Sequence, residues 1–366
     1  VAWRTLVSPT GEVIMLHQLA SKDPVPTEPK PDDVGEGEDL PYGGGGGFCE
    51  PGIAAAAVTR FTAEGPQTTP LPNARLAVDA AISPTTGWMA VAMPGAPEGS
   101  PTVAVMPPEE GGCFLSESPR TDEQITAVAY DANGTLVMQS REPARLLLQD
   151  HTPGGDVIVI DLPGESRYDT GHEIFHRATD SGLSCATCHP EGTDDGHVWV
   201  FEGLGKRRTQ PLDVDLAGSA PFHWDGDMTD LGVLMEEVLA HRMGGKRQSP
   251  ARSESFKRWV FEQQRPPADA GLDEPRLVEE GQRLFASLDC VRCHTGAELG
   301  GSMTTPVRSV ELQVPSLHRV SLRPPFMHDG RSPTLETAVQ DMIESTTSAD
   351  VRSEDVAALT AYMRTL

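Results

Sequence analysis

The sequence lacks a long apolar run, a surplus of basic residues and a large set of aromatic side chains. No apolar stretch approaches the ~20 residues that a helix needs to cross a bilayer, so no membrane-spanning helix is expected. Lys and Arg number 29 against 54 Asp and Glu, giving a formal net charge of −25. That balance argues against binding to nucleic acid or to an anionic membrane surface. Aromatic residues make up 5%, whereas 36 glycines and 32 prolines predict many turns, and 366 residues suit two or three domains.

Cysteine is also scarce, and its placement is the most informative feature of the chain. Four of the six cysteines belong to two C-x-x-C-H pentapeptides. This signature is typical of covalent haem c attachment, in which two thiols bond to the porphyrin and the following histidine becomes the proximal iron ligand. One copy can arise by chance or serve another thiol function, but two copies predict two covalently bound haems c. The predicted cofactor-binding residues are Cys185, Cys188 and His189 for the first haem, and Cys290, Cys293 and His294 for the second haem.

The remaining cysteines, Cys49 and Cys113, fit a disulfide or two free buried thiols. Haem c is attached after export, so the compartment is oxidising and a disulfide is favoured. This reasoning predicts a periplasmic or extracellular location in a bacterium. The sequence starts at Val1 with no visible signal peptide, and we interpret it as a mature, processed or truncated chain.

Residues 1–164 are predicted to be β-rich. Three segments, 6–16, 81–92 and 128–138, each read as strand, tight turn and strand, with the turn at a Ser-Pro or Asp-x-x-Gly sequence. The pattern resembles the blades of a β-propeller. A propeller needs four or more blades, so the fold either closes differently or is incomplete in this chain. The acidic, Pro-rich and Gly-rich stretch 21–47 is interpreted as a long insertion or linker.

After residue 165 the pattern becomes helical and repeats. The haem pentapeptides begin 105 residues apart, whereas Pro211 and Pro315, and the Asp-Gly pairs at 225 and 329, are 104 apart. These spacings predict a duplicated cytochrome c domain: a first repeat at 165–265 and a second repeat at 266–366. A short amphipathic segment precedes each haem pentapeptide, a helix is expected to close each repeat (253–264 and 353–366), and 265–275 reads as a linker. The predicted fold class is mixed, an all-β part followed by two all-α domains.

The second repeat resembles the bacterial di-haem cytochrome c peroxidase and MauG superfamily in its Val314-Pro-Ser-Leu segment, its turn from Pro325 to Gly330 and the helix after Thr334. In that family a residue on this helix is the distal ligand of the C-terminal haem, and here the matching residue is Met342. A thioether raises the haem potential, so the resemblance implies that the second haem receives electrons. The alternatives are Met327 as the ligand, or a packing role for Met342.

The first repeat matches the same family in Pro221-Phe-His-Trp-Asp-Gly226. The resemblance makes Trp224 the candidate for electron transfer between the haems, with simple packing as the alternative. It offers two sixth ligands for the first iron. His197 in a Gly-His segment would give a site that can open to peroxide, whereas Met243 would give a closed electron-transfer haem. His241 is a more distant third choice.

One position departs from the family pattern. Catalytic peroxidases carry a Glu before the Met that aligns with Met243, and this chain has Arg242. An arginine cannot accept a proton from peroxide, although it can stabilise negative charge. Arg242 and Trp224 are therefore the predicted catalytic residues if the protein is an enzyme. Glu236 or Glu237 would be substitutes for the missing Glu. The resemblance also implies a calcium ion near Thr209.

These residues support three hypotheses about function. The first is an exported electron-transfer protein that works with a soluble or surface redox partner. The second is a peroxidase or MauG-like oxidase. The third is a β-rich binding module whose haem domains relay electrons. The missing Glu favours the first hypothesis over the second, and association with further chains stays open.

Overall fold

The computed structural model describes the whole chain apart from residues 29–39, 44–51, 72, 108–122, 151–155, 264–270, 298 and 348. Cys49 and Cys113 lie outside the described residues, as do most of the predicted insertion and much of the predicted linker. The described chain forms two compact units, residues 1–187 with 238–256 and residues 188–237 with 257–366. Among these residues no helix is long and apolar enough to span a membrane. The domain boundaries at residues 164 and 265 stay a prediction. A compact unit groups residues by their contacts in space, whereas a sequence repeat groups them by their position along the chain.

The described residues of the β-rich part form three antiparallel sheets in which each strand pairs with the next along the chain. The first sheet contains β1 to β4, the second β5 to β7 and the third β8 to β11. Their bounds are β1 Ala2–Val7, β2 Val13–Ala20, β3 Ala54–Thr62, β4 Gly65–Leu71, β5 Asp79–Ile82, β6 Met89–Ala92, β7 Val103–Met106, β8 Ile125–Tyr130, β9 Leu136–Ser140, β10 Arg145–Gln149 and β11 Val157–Asp161.

The three predicted strand-turn-strand segments are confirmed as β1-β2, β5-β6 and β8-β9. Each turn is closed by the side chain of its first residue, which accepts backbone N–H groups. Ser8 Oγ accepts from Glu12, Ser83 Oγ from Thr86, and Asp131 Oδ1 from Thr135. Local side-chain chemistry therefore fixes the register of each hairpin. Closure of a propeller ring stays a prediction.

The helical part contains seven α-helices and one π-helix among the described residues. The α-helices are α1 Thr170–His176, α2 Cys185–Cys188, α3 Leu231–Leu234, α4 Pro250–Phe261, α5 Pro275–Ser287, α6 Leu335–Thr346 and α7 Ser353–Arg364, and the π-helix is Met235–Arg242. The predicted helices before each haem pentapeptide and at the end of each repeat are confirmed by α1, α5, α4 and α7. Two antiparallel hairpins that the sequence did not predict accompany them: β12 Val198–Phe201 with β13 Gly205–Arg208, and β14 Thr304–Val307 with β15 Val310–Gln313.

The local structure repeats with the spacing seen in the sequence. Short 3₁₀ turns at 216–218 and 320–322, and the first residues of α3 and α6, are each 104 residues apart. The isolated bridges Phe222–Met228 and Phe326–Ser332 keep the same spacing. The predicted duplication is therefore visible in the backbone.

The repeats diverge after these helices begin. In the second repeat α6 continues to Thr346, whereas in the first repeat α3 ends at Leu234 and the π-helix follows. A π-helix is rare and commonly marks a functional position.

The second repeat has a core built on α5, α6 and α7. Phe285, Leu335, Leu359 and Met363 are among its buried side chains. Gly281 allows α5 to approach α7 closely, because a Cβ atom at this position would lie 2.0 Å from the carbonyl oxygen of Ala358. Glycine is therefore needed at this helix crossing for steric reasons.

Candidate functional site

The first haem pentapeptide lies on α2 and the residue after it. Ser184 N donates to Thr187 Oγ1 at 3.0 Å, which fixes the start of this short helix. Burial raises the pKa of Cys185 to about 12. A thiol with that pKa stays protonated at neutral pH, which disfavours thiolate chemistry at Cys185. Thioether attachment to a porphyrin does not need a resident thiolate.

The orientation of His189 is set by a carbonyl group. Its Nδ1 lies 3.2 Å from the carbonyl oxygen of Thr193. Because a carbonyl oxygen only accepts, Nδ1 carries the hydrogen and Nε2 keeps a free lone pair, the arrangement that iron-ligating histidines adopt. Burial lowers the pKa of His189, which favours the neutral form that binds a metal.

The second pentapeptide repeats this arrangement. Cys290 opens a 3₁₀ turn, and burial raises the pKa of its thiol. His294 is 8% exposed, and its Nδ1 lies 3.1 Å from the carbonyl oxygen of Leu299. Burial also lowers the pKa of His294. Both proximal histidines therefore present Nε2 in the same chemical state.

Buried guanidinium nitrogens without a hydrogen-bond partner are also compatible with haem. Haem brings propionate carboxylates, for which guanidinium groups are the preferred partners. In the described part of the chain, four buried guanidinium nitrogens have no hydrogen-bond partner: Arg208 Nε, Arg319 Nε, Arg323 Nη1 and Arg331 Nη2. A buried donor without a partner is costly, and an anionic group nearby would offset that cost. The cysteines, histidines and arginines thus fit haem c, which supplies one-electron redox chemistry when bound.

The two methionine candidates of the second repeat have different surroundings. Met327, at a positive φ of 69°, packs against the apolar cluster of the second repeat. Met342 lies half-buried on α6 and is not part of that cluster of described residues, although its neighbour Ile343 is. Ligation by Met342 stays a prediction, and Met327 stays the alternative.

The two candidates for the sixth ligand of the first iron lie in different compact units. Met243 is 5% exposed and follows the π-helix, where its N–H donates to the carbonyl of Val238 at 3.0 Å. His197 precedes β12, and its ring meets the Trp199 ring edge-on at 4.5 Å. Burial lowers the pKa of His197, which keeps its imidazole neutral. Both residues remain candidates. His241 is exposed at the end of the π-helix.

Counting from the helix starts, the residue of the first repeat that corresponds to Met342 is Val238, because α3 and α6 begin 104 residues apart. Met243 lies five residues further along, beyond the π-helix. An alignment of Met243 with Met342 therefore needs a gap, and this gap falls where the α-helix changes to the π-helix.

Trp224 joins the two repeats within the second unit. Its Nε1 donates to the carbonyl of Arg208 at 2.6 Å, and its own carbonyl accepts from Gln313 N at 2.8 Å. Its ring lies 6.2 Å from that of His328 in the second repeat, in a T-shaped contact. This position between two haem-binding repeats is compatible with the predicted relay role.

Arg242 was predicted to act in peroxide chemistry, and Thr209 was predicted to lie near a calcium ion. Arg242 is half-buried as the last residue of the π-helix, and its carbonyl accepts from Tyr42 N at 3.1 Å. Thr209 is 8% exposed, and its Oγ1 accepts from Trp199 Nε1 at 3.1 Å. No group of three or more His, Cys, Asp or Glu that could hold a metal occurs among the described residues. The calcium ion expected near Thr209 stays a prediction.

The sequence reasoning missed a buried ion network in the second unit. Asp194 accepts from Arg208 Nη2 at 2.7 Å, and Asp213 accepts from Arg323 Nη2 at 2.7 Å. Arg323 Nη1 also lies 3.9 Å from Asp194, so the two pairs are joined. No spacing rule links residues so far apart along the chain, and a fold was needed to find them.

A comparison with known protein families gives a match for one part of the chain. The cytochrome c family matches residues 278–366, which contain the second haem pentapeptide. This match supports covalently bound haem c, as the pentapeptides predicted. It covers the second repeat and leaves the β-rich part outside.

Two curated relatives of this chain are cytochrome c peroxidases. Cytochrome c551 peroxidase of Nitrosomonas europaea is 29% identical over 111 residues, covering 24% of this chain and 33% of the relative. Cytochrome c peroxidase Ccp of Escherichia coli is 26% identical over 308 residues, covering 65% of this chain and 63% of the relative. The chain thus spans about a third of one relative and just under two thirds of the other. Together with the cytochrome c match, they show that parts of this chain are similar to bacterial cytochrome c peroxidases.

A solved structure of hydrazine synthase from Kuenenia stuttgartiensis resembles this chain with a TM-score of 0.46 and 16% sequence identity. The alignment covers 54% of this chain and 86% of that one. A likeness of this size carries no functional conclusion.

Proposed function

We propose that this protein is an exported electron-transfer protein that binds two haems c and passes electrons between them and an external redox partner. One observation carries the proposal. Both C-x-x-C-H histidines are buried, and both have Nδ1 held by a backbone carbonyl, so that Nε2 is free for iron. A chain that had kept only one working haem would have no reason to maintain this arrangement twice.

The second haem is the high-potential centre in this proposal, with Met342 as its sixth ligand. The thioether favours ferrous iron. Trp224 bridges the repeats and relays electrons between the haems. Calcium near Thr209 stays a separate prediction, since the Thr209 hydroxyl that accepts the Trp199 N–H keeps a second lone pair.

A second candidate function is the reduction of hydrogen peroxide, favoured by the names of the two relatives. In this case His197 would be a ligand of the first iron that can leave, and Arg242 would stabilise negative charge on the bound oxygen atoms. The Arg at position 242, where the peroxidases have Glu, argues against this function, since arginine cannot serve as the base.

The redox partner and the location follow from charge and chemistry. A formal charge of −25 favours a partner with a basic docking surface. Covalent haem c attachment favours the bacterial periplasm or the cell exterior. The β-rich part is free in this scheme to bind further chains.

One experiment separates the two functions. The haem-loaded chain is reduced halfway with ascorbate, and the spin state of each haem is read before and after cyanide or peroxide is added. Electron transfer predicts two low-spin haems that ignore both ligands. A first haem that turns high-spin and binds them would replace this proposal with the peroxidase function. Met243→Ala and His197→Ala then identify the ligand, because only loss of the true ligand makes the first haem of the fully oxidised protein high-spin.

A further inference from the structure

The loop after the first proximal histidine is fixed by a buried carboxylate. Thr193 supplies the carbonyl that orients His189, and the next residue, Asp194, accepts from Gly196 N at 2.9 Å and from Arg208 Nη2 at 2.7 Å. The side chains of Asp194 and Arg208 are 8% and 5% exposed. An ion pair this deeply buried is weakly screened, so its charges act on their surroundings with unusual strength.

The second proximal histidine has different surroundings. Burial lowers the pKa of His189, and this effect is opposed first by the Thr193 carbonyl and then by the carboxylates of Asp195 and Asp194. For His294 the groups that oppose burial are the backbone carbonyls of Leu299 and Pro315. Two otherwise matching histidines thus differ in having nearby carboxylates.

We propose that the buried Asp194–Arg208 ion pair is a positioning and tuning element for the first haem, which holds the His189 loop and sets the haem potential through the balance of its two charges. The inference rests on the proposed function, because it needs a haem at His189. A carboxylate near the proximal ligand stabilises ferric iron and lowers the potential, and the guanidinium cancels part of that effect. The pair therefore adds a difference between the two haems that does not depend on their sixth ligands.

Arg208 also makes hydrogen bonds apart from its ion pair with Asp194. Its Nη1 donates to the carbonyl of Thr209 at 2.6 Å, while its backbone N–H and C=O bind His328 and Trp224. These backbone bonds survive any side-chain replacement. Substitutions of the side chain consequently test the charge without removing the backbone link between the repeats.

The test is a redox titration of the full haem-loaded chain, with each haem followed by its spectrum. Asp194→Asn is expected to raise the potential of the first haem, and Arg208→Gln to lower it. Each shift is expected to be at least a tenfold change in the reduction equilibrium, which is about 59 mV for one electron. Arg208→Lys and the double variant Asp194→Asn with Arg208→Gln keep the charge balance, so both should stay near the parent potential.

Three controls make the outcome decisive. The second haem should keep its potential in every variant. Asp79→Asn, which removes a paired carboxylate 3.3 Å from Arg4 in the β-rich part, should change neither haem. If a single variant does not fold, the double variant and Arg208→Lys still decide, since a shift in either one contradicts charge balance.

If the two charges set the potential of the first haem, the two single variants shift that potential in opposite directions. Equal shifts in one direction from Asp194→Asn and Arg208→Gln, or no shift in either, would overturn the inference while leaving a two-haem protein intact. A chain that carries fewer than two haems would instead overturn the proposed function, and haem content is therefore measured first.

Discussion

The indole N–H of Trp224 donates to the carbonyl oxygen of Arg208 at 2.6 Å, and the N–H of Arg208 donates to the carbonyl of His328 at the same distance. The backbone of one residue thus joins the aromatic side chain of the first repeat to the His-Asp-Gly turn of the second repeat. The rings of Trp224 and His328 also make a T-shaped contact. This connection is one of the hydrogen-bonded links between the two repeats, as is the bond from Gln313 N to the Trp224 carbonyl.

Replacing Trp224 with Phe should slow electron transfer between the haems, because the indole and its bond to Arg208 are both lost. The free energy of unfolding should fall by about 1–3 kcal/mol, since a buried carbonyl loses its donor. Transfer rates after rapid partial reduction provide the measurement. Trp199→Phe is the matched control: it also removes an indole bond, to Thr209, and should leave the transfer rate unchanged.

Replacing Met342 with Ala should lower the potential of the second haem and make it high-spin or open to added ligands, because the thioether is lost. Met327→Ala serves as the comparison. Met327 packs against the apolar cluster, so its loss should cost about 2–3 kcal/mol of stability and leave the potential in place. Reversed results would make Met327 the ligand.

Gly281→Ala should destabilise the second repeat. Alanine is the better helix former by about 1 kcal/mol, but its Cβ would lie 2.0 Å from the Ala358 carbonyl oxygen. Overpacking of this kind costs about 1–3 kcal/mol or more. Denaturant unfolding measures the change, and Gln282→Ala on the exposed face should be neutral or slightly stabilising. A stabilised Gly281→Ala protein would show that α5 and α7 are not in close contact.

His172 should make the first unit sensitive to acid. Burial and the charges of His176 and Arg141 lower the pKa of His172 to about 3 from an ordinary value of 6.5. Between these values the unfolded chain holds a proton that the folded chain does not, so stability falls as the pH drops below about 6.5 and the loss is complete near 3. His172→Gln removes this dependence. Denaturation midpoints of the two proteins, compared at pH 7 and pH 4.5, should differ in their pH response, and parallel responses would contradict the assignment.

Local signals carried most of the successful fold predictions. The three β hairpins followed from turns opened by Ser8, Ser83 and Asp131, because hydrogen bonds within a turn depend on neighbouring residues alone. The duplicated helical part followed from the spacing of Pro211 and Pro315. The hairpins β12-β13 and β14-β15 were missed because their strands have four residues each, too few to show a period.

The haem residues were predictable for a similar reason, since C-x-x-C-H is a local pattern with one strong chemical interpretation. The carbonyls that orient His189 and His294 were not predictable, because they depend on how each loop folds back. The ion pair between Asp194 and Arg323 was even less predictable from the sequence. These residues lie far apart along the chain and come close only after the repeats pack. The π-helix, which contains Val238 and ends just before Met243, has no sequence signal, and an alignment of Met243 with Met342 therefore needs a gap.

The central claim is that one chain carries two covalently attached haems, and the mass of the denatured protein tests it most directly. The account predicts a mass increase of two haem groups that survives unfolding, and of one group when both Cys185 and Cys188, or both Cys290 and Cys293, are replaced by Ala. A denatured chain with no added mass, or with a single haem in the parent protein, would contradict it.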